Sequence, residues 1–244
     1  TITSVSLSLL LLPQPAQAMD PREAVGKIEK NLAPGKLKAR YQFTNTRTDG
    51  TTTSYEIQFQ TEDIDHSHGV FQKPEREKGR EILRVADVLW TYLPSVGRAV
   101  RVADRDSFAG GDFSNADVMR VDWLSKYDVT LAKETPKQWI FDLTAKPPTP
   151  GKLTGAPAAY AKMRLWVDQA TVQPVQQQFF DSEDTLLKTC LYGAVTDFGS
   201  GVVRPARLVM ENVITHQKSE MKIVEFRSGQ RLPRDRFSVE QLGK

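Results

Sequence analysis

The chain alternates apolar and polar residues over much of its length. From Leu37 to Thr44, Leu, Ala, Tyr and Phe occupy every second position, and Lys, Arg, Gln and Thr lie between them. A period of two places all the apolar side chains on one face of a β-strand. Thr48, Asp49 and Gly50 supply turn residues before the alternation returns at 55–60. The pattern predicts a β-hairpin with one apolar and one solvated face.

Similar short runs recur along the rest of the chain, separated by turn residues and by little predicted helix. They fall at 69–73, 81–85, 88–93, 98–102, 127–132, 138–143, 162–167, 175–180, 186–192, 207–213 and 220–226. Strands that follow one another through short turns pair as antiparallel neighbours. The sequence therefore predicts a mainly β protein (α+β) with about a dozen strands in one large antiparallel meander.

An amphipathic helix is predicted before the first strand. Asp20 is a favourable N-cap, Pro21 suits the first turn, and Pro34 with Gly35 ends the helix. Its apolar face consists of Ala24, Val25, Ile28 and Leu32. A helix with one apolar face must pack on another element, so we expect it to cover part of the sheet.

A second cover is predicted at 112–123, where a candidate helix starts near Asp112 or Ser114. It follows Gly110 and Gly111, which we interpret as a lid hinge. An antiparallel sheet of this length curls, and two short helices are too small to fill its concave side. The sequence favours a covered apolar cavity. The alternative is that the protein's own side chains fill the interior completely.

Aromatic and aliphatic residues of the strands and the lid are the candidate ligand-binding residues. Methionine suits a variable ligand because its side chain is flexible. The predicted lining of the hydrophobic cavity and lid consists of Tyr41, Phe43, Tyr55, Ile57, Phe59, Trp90, Tyr92, Phe113, Val118, Met119, Trp139, Phe141, Met163 and Leu165.

Residues 1–18 are predicted to be the remnant of a secretory signal peptide. They contain the short apolar run 5–12 and the small residues of a cleavage site at 16–18. We therefore expect an exported protein whose single domain spans residues 19–244. The proline-rich segment 146–157 is expected to be a loop, since proline cannot serve a central strand.

The composition argues against several classes of protein. Lys and Arg number 33 and Asp and Glu 30, a formal net charge of +3, and the basic residues are not clustered as nucleic-acid binding requires. The apolar runs are too short to span a membrane. Cys190 lies in a strand-like run and is predicted to be a buried, inert thiol.

Catalytic and metal-binding sets are not predicted either. Asp63, His66, His68 and His216 have metal-ligand side chains, but a solvated loop beside a strand explains them better. Residues 199–201 lack the spacing of a nucleophile elbow and are typical of a hairpin turn. We therefore expect a binding protein with no catalytic residues, no metal and no cofactor.

Several features together resemble the LolA/LolB-like superfamily, in particular its outer-membrane lipoprotein-sorting proteins. They are the export signal, the helix after it, the strand at 89–94, the Ser107-Phe-Ala-Gly-Gly-Asp-Phe-Ser114 segment, and the terminal Leu232-Pro233 with Phe237 and Leu242. The resemblance covers nearly all of residues 19–244. It implies a strongly curved, unclosed half-barrel of about eleven antiparallel strands, with helices as a lid over a hydrophobic cavity.

The resemblance also implies a function. It indicates a soluble periplasmic carrier of a Gram-negative bacterium that binds an acylated lipoprotein or lipid and delivers it toward the outer membrane. An inner-membrane transporter and an outer-membrane acceptor are the implied partners, and we expect a monomer. The alternative is a periplasmic sensor or accessory protein, of an envelope transporter or stress system, that binds a protein partner.

The resemblance is incomplete in two places. The nearest candidates for the carrier's lid-locking arginine are Arg40 and Arg47. The proline-rich segment 146–157 has no obvious counterpart in the carrier. The resemblance therefore implies the fold more firmly than it implies the cargo.

Overall fold

Thirteen strands form one antiparallel sheet. The structure is a computed structural model that describes residues 19–147 and 157–244. The strands are β1 Leu37–Thr46, β2 Thr52–Asp63, β3 His66–Lys73, β4 Glu81–Val85, β5 Val88–Leu93, β6 Arg98–Val102, β7 Tyr127–Glu134, β8 Gln138–Ala145, β9 Lys162–Asp168, β10 Gln173–Phe180, β11 Leu186–Asp197, β12 Val203–Asn212 and β13 Lys218–Ser228.

The sequence prediction of a mainly antiparallel β fold is confirmed. Each run with strand-like alternation forms one strand, and the sheet has two more strands than the resemblance implied. The predicted signal peptide lies outside the described residues, as does most of the proline-rich segment.

The first and last strands of the chain meet in the middle of the sheet. The strand order is β6-β5-β4-β3-β2-β1-β13-β12-β11-β10-β9-β8-β7, so β6 and β7 form the two edges. Leu37 pairs with Ser228 and Thr46 with Lys218 along the β1–β13 seam. The result is a curved sheet that does not close into a barrel, with one concave and one convex face.

The predicted N-terminal helix is confirmed as α1, Pro21–Leu32. The backbone N–H of Arg22 donates to the Asp20 carboxylate (2.9 Å), which caps the first turn. Ala24, Val25, Ile28 and Leu32 are buried. Their spacing places them on one side of the helix, which packs on the concave face of the sheet.

The second cover, residues 108–126, is here called the lid, and it differs from the single predicted helix. A 3-10 turn at Phe108–Gly110 precedes α2, Asn115–Met119, and α3, Trp123–Lys126. Ser114 caps α2 through a capping box with Asp117, as its position in the sequence predicts. The helix ends at Met119 because the backbone of the next residue, Arg120, is extended. Ion pairs to Asp65, Asp87 and Asp122 hold the Arg120 side chain.

The lid contributes an aromatic plug to the core. The ring of Phe108 lies 4.9 Å from Phe43 and 6.1 Å from Phe71, and the ring of Phe113 lies 6.2 Å from Phe43. Such pairs add about 0.5–1.5 kcal/mol each beyond the area they bury. Side chains therefore fill the concave face around Phe108, under β1, β2 and β3. An apolar opening lies under α2 and α3.

A smaller core lies on the convex face. The C-terminal segment 232–242 packs Leu232, Phe237 and Leu242 against Leu83, with Trp90 and Tyr92 partly buried beside them. Phe237 and Leu242, two of the C-terminal residues that carry the family resemblance, are buried there. The sheet is thus covered on both faces along β3 to β6.

Candidate functional site

An apolar cavity of about 110 Å³ lies between the sheet, the end of α1 and the lid. Its floor comes from strands on both sides of the β1–β13 seam and includes Tyr41, Phe179, Cys190, Leu208, Met210 and Met221. Its roof is the lid, through Phe113, Val118, Met119, Val121 and Trp123. Three methionines face the same space, and their unbranched side chains can adapt to ligands of different shape.

The cavity is small for a ligand site. Pockets that bind small molecules usually measure about 300–1,000 Å³. At about 110 Å³, this one holds no more than a short stretch of an alkyl chain. Any larger apolar ligand can enter only if the lid or the methionine side chains move.

The predicted lining residues separate into three groups. Those that line the cavity are Tyr41, Phe113, Val118 and Met119. Others belong to the same concave core but pack beside or beneath the cavity: Phe43, Tyr55, Ile57, Phe59, Trp139, Phe141, Met163 and Leu165. Trp90 and Tyr92 belong to the convex core instead.

Trp90 and Tyr92 lie on the far side of the sheet from the cavity. On β5, Leu89 and Thr91 face the concave side. Trp90 and Tyr92 alternate with them along the strand and therefore point to the convex side. The guanidinium of Arg101 lies 4.8 Å above the Trp90 ring. Alternation alone does not indicate which face is concave, because the C-terminal segment makes both faces of this strand apolar.

The two glycines of the predicted hinge have different surroundings. Gly110 has φ +70°, and a methyl group in its place would meet nothing within 4 Å. A methyl group on Gly111 would overlap the Asn45 amide and the Ser219 hydroxyl. Gly111 therefore lets the lid backbone approach the sheet closely, and the hinge role of the pair stays a prediction.

Buried hydrogen bonds anchor the start of the lid to the sheet. The backbone N–H of Asp112 donates to Ser219 Oγ (2.8 Å), whose hydroxyl donates to the Asp112 carboxylate (3.1 Å). Asn45 donates to the carbonyl of Ala109 (3.0 Å), and Lys188 donates to the carbonyl of Asp112 (2.6 Å). Residues 109–112 are thus tied to β1, β11 and β13.

The later part of the lid is bonded mainly to turns and segments that flank the strands, for example through the Tyr160 hydroxyl, which donates to Asp117 (2.8 Å), and through Lys146, which donates to the carbonyl of Leu124 (2.8 Å). Ser67 donates to the carbonyl of Met119 (3.2 Å), and Arg120 pairs with Asp87 (2.9 Å) and Asp65 (3.4 Å). Between α3 and α1, the N–H of Leu124 donates to the Glu29 carboxylate (2.7 Å). Residues 113–126 could therefore move without breaking the bonds that tie residues 109–112 to the strands.

Burial raises the pKa of two carboxyl groups beside the lid helices. It raises the pKa of Asp117, which accepts from the Ser114 N–H (2.7 Å) and the Tyr160 hydroxyl (2.8 Å). Desolvation raises the pKa of Glu29 to about 7, although the N–H of Leu124 opposes it and Asp122 adds to it.

Sequence reasoning missed the buried arginines. Arg84 is fully buried and pairs with Asp104, and Arg204 is buried in the cavity wall and donates to the carbonyl of Leu32. Both occupy strand positions where alternation requires an apolar side chain. A charged residue at an apolar position of a strand was the signal that could have identified them.

The two candidates for a lid-locking arginine, Arg40 and Arg47, lie in β1 and in the turn that follows it. Arg40 pairs with Glu225 (2.6 Å) and Glu56 (3.3 Å) on the neighbouring strands. Arg47 lies in the turn between β1 and β2. Arg204 donates to the carbonyl of Leu32 at the end of α1, and Arg120 of the lid pairs with Asp122.

The metal-like residues form separate pairs. His66 Nδ1 lies 2.8 Å from Asp63, and His68 Nε2 lies 2.6 Å from Glu81 under the C-terminal segment. Within residues 19–147 and 157–244, no three His, Cys, Asp or Glu side chains come together as metal ligands.

Burial raises the pKa of the Cys190 thiol, as expected for an inert cysteine. In the same part of the chain, no helix has the length and apolar character needed to cross a membrane.

Fold and cavity together define a lidded, unclosed half-barrel of the LolA-superfamily type. A LolA superfamily protein from Nitrosomonas europaea superposes with a TM-score of 0.77 at 21% identity, covering 91% of this chain and 98% of that one. A Vibrio parahaemolyticus domain named for outer membrane lipoprotein sorting gives 0.78 at 19% identity, with coverages of 92% and 98%. A DUF1329 family protein from Desulfovibrio piger gives 0.79 at 19% identity, with coverages of 92% and 100%.

Residues 63–244 match a family model described as "-like: Uncharacterized protein", and the chain belongs to that family. No curated protein matches the chain. At these identities the solved structures establish the fold, so the resemblance to the LolA superfamily is confirmed at the level of fold.

Proposed function

We propose that the protein is a periplasmic carrier that binds an acyl chain of a lipoprotein or lipid under its lid and delivers it toward the outer membrane. The observation that supports this most is the cavity, an apolar space roofed by a separate segment and lined by Met119, Met210 and Met221. The fold shared with a domain named for lipoprotein sorting agrees with it.

The energetics of acyl burial suit a carrier. Each buried methylene contributes about 0.8 kcal/mol, so ten would contribute about 8 kcal/mol before ordering costs. The cavity must expand to accept that many, and the movement breaks bonds of residues 113–126 such as Ser67 to Met119. Opening the lid therefore costs part of the binding energy, which makes release to an acceptor easier.

The remaining parts of the proposal concern partners. An inner-membrane transporter would supply the cargo and an outer-membrane acceptor would receive it. The protein would act as a monomer, without nucleic acid, cofactor or enzymatic activity.

Uptake of a fluorescent fatty acid by lipid-extracted protein tests the proposal. Val118→Asp places a carboxylate in the lid face of the cavity and should weaken uptake about tenfold or more, because an alkyl chain cannot solvate the charge. Val96→Asp is the matched control, since Val96 is 57% exposed in the turn after β5. It should bind the probe like the wild type.

The outcomes separate clearly. Saturable uptake that Val118→Asp reduces and Val96→Asp does not would support the carrier. If extracted protein takes up no probe, the carrier proposal is wrong, and a module that binds a protein partner becomes the better explanation.

A further inference from the structure

Arg204 is a buried cation with no anionic partner in the described part of the chain. It is 5% exposed, donates to the carbonyl of Leu32, and lies 5.5 Å from the centre of the Phe226 ring. Its Nε is buried and has no hydrogen-bond partner among the described residues. A buried charge is costly unless a counter-charge accompanies it, so this arginine needs an explanation.

The other charged groups that line the cavity are already satisfied. Asp63 pairs with His66 (2.8 Å), and Asp117 accepts from Ser114 and Tyr160. Arg120 pairs with three aspartates. Asp117 has no cation as a direct partner either, but burial raises its pKa and so favours its neutral form. Among the described cations that line the cavity, Arg204 is thus the one without a carboxylate partner.

The surroundings of Arg204 supply hydrogen-bonding groups but no carboxylate. Desolvation lowers the pKa of Arg204, and Tyr41 and Tyr192 oppose that effect by favouring the charged form. The Tyr192 hydroxyl donates to Gln177 Oε1 (2.6 Å), and the Gln177 amide donates to the sulfur of Met163 (3.2 Å). Sulfur is a weak acceptor, so the amide of Gln177 is a second donor available to a ligand.

The cavity therefore has a polar end and an apolar end. Arg204, Leu208 and Met210 lie along one side of β12 and all line the cavity. At about 3.3 Å per residue, the backbone positions of Arg204 and Met210 are roughly 20 Å apart along the strand. An anionic group bound at Arg204 would direct its alkyl chain along the row beneath the lid.

We propose that Arg204 binds the anionic head of a single-chain amphiphile, such as the carboxylate of a free fatty acid, inside the cavity. The inference rests on the proposed function and narrows its ligand, since ester- or amide-linked acyl chains carry no charge. A carboxylate or phosphate can reach Arg204 either as a lipid head group or as a free anion, and the test distinguishes these sources.

The test compares dodecanoate, methyl dodecanoate and inorganic phosphate as ligands of lipid-extracted protein at pH 8, by calorimetry. Wild type should bind dodecanoate about ten- to a hundredfold more tightly than the ester, as expected for charge-assisted hydrogen bonds. Arg204→Gln should remove that preference, so that the variant binds dodecanoate no more tightly than the ester. Arg207→Gln is the matched control, because Arg207 is exposed on the same strand and pairs with Glu220 (3.1 Å).

Each result decides a different point. Equal binding of acid and ester by wild type overturns the role of Arg204 while the carrier proposal stands, and this comparison needs no variant that might fold poorly. Binding of neither dodecanoate nor its ester overturns the carrier proposal as well. Phosphate binding that requires Arg204, without dodecanoate binding, assigns the site to a free anion and also overturns the inference.

Discussion

At the scale of single residues, the lid depends on two adjacent glycines with opposite surroundings. Gly110 needs its glycine for a left-handed backbone in open space, whereas Gly111 needs it to fit against Asn45 and Ser219. Left-handed backbone costs about 1–2 kcal/mol for other residues, and overpacking costs about 1–3 kcal/mol. The pair therefore combines a position that needs a left-handed backbone with one that needs close packing.

We predict that Gly111→Ala lowers the free energy of unfolding by about 2 kcal/mol and loosens residues 109–112, because its methyl group displaces the Asn45 and Ser219 side chains. Gly110→Ala should cost about 1 kcal/mol and leave those hydrogen bonds intact. Urea unfolding and amide hydrogen exchange measure both effects. Unchanged exchange at Asp112 in Gly111→Ala would show that the close packing has been misjudged.

The buried arginines show why parts of the site could not be predicted. Alternation identified each strand, since a period of two depends only on neighbouring residues. Whether Arg84 or Arg204 faces solvent depends on which face is concave, and that is set by the covering segments. Their partners, Asp104 and the carbonyl of Leu32, are distant in sequence or belong to the backbone.

At the scale of elements, the two covers contact each other through a titratable bond. Glu29 of α1 accepts from the N–H of Leu124 in α3 (2.7 Å). Its pKa is raised from 4.5 to about 7, chiefly by burial, with Asp122 adding to the effect and Arg22 opposing it. The native state therefore binds more protons than the unfolded chain between these pH values, so stability falls as the pH rises through that window.

We predict that Glu29→Gln reduces this pH dependence, because an amide keeps an acceptor oxygen without a charge. Its melting temperature should equal that of the wild type near pH 4.5 and exceed it at pH 8. Glu23→Gln, in the exposed pair with Lys27, is the control and should follow the wild type. Parallel melting curves for Glu29→Gln and wild type from pH 5 to 8 would contradict the prediction.

At the scale of the whole molecule, the sheet carries two separate cores. The concave core contains the cavity, and the convex core fixes the C-terminal segment to β3, β4 and β5 through Phe237 and through Glu81, which accepts from the N–H of Gly243 (2.9 Å). If β5 had only one apolar face, its sequence alone would indicate that Trp90 and Tyr92 point toward the concave or the convex side. Because the convex core makes the second face of β5 apolar as well, the sequence does not distinguish the two faces.

We predict that Phe237→Ala lowers the free energy of unfolding by about 3 kcal/mol without changing the affinity for a fatty-acid probe, since the residue lies on the face opposite the cavity. Phe237→Leu keeps most of the volume and should cost clearly less. Urea unfolding and probe titration below the melting transition check the two parts. A changed probe affinity in Phe237→Ala would show that the two faces are coupled.

The β1–β13 seam has a consequence for how the chain reaches its native state. The first of the thirteen described strands pairs with the last, so the central pairing of the sheet cannot form until all the strands between them have been synthesised. Until then β1 is an open edge, and pairing so distant in sequence is slow to form. Joining the two ends through a linker and cutting between β6 and the lid would make β13 and β1 consecutive strands, with only the C-terminal segment, the linker and α1 between them. Such a circular permutant should refold faster than the natural order.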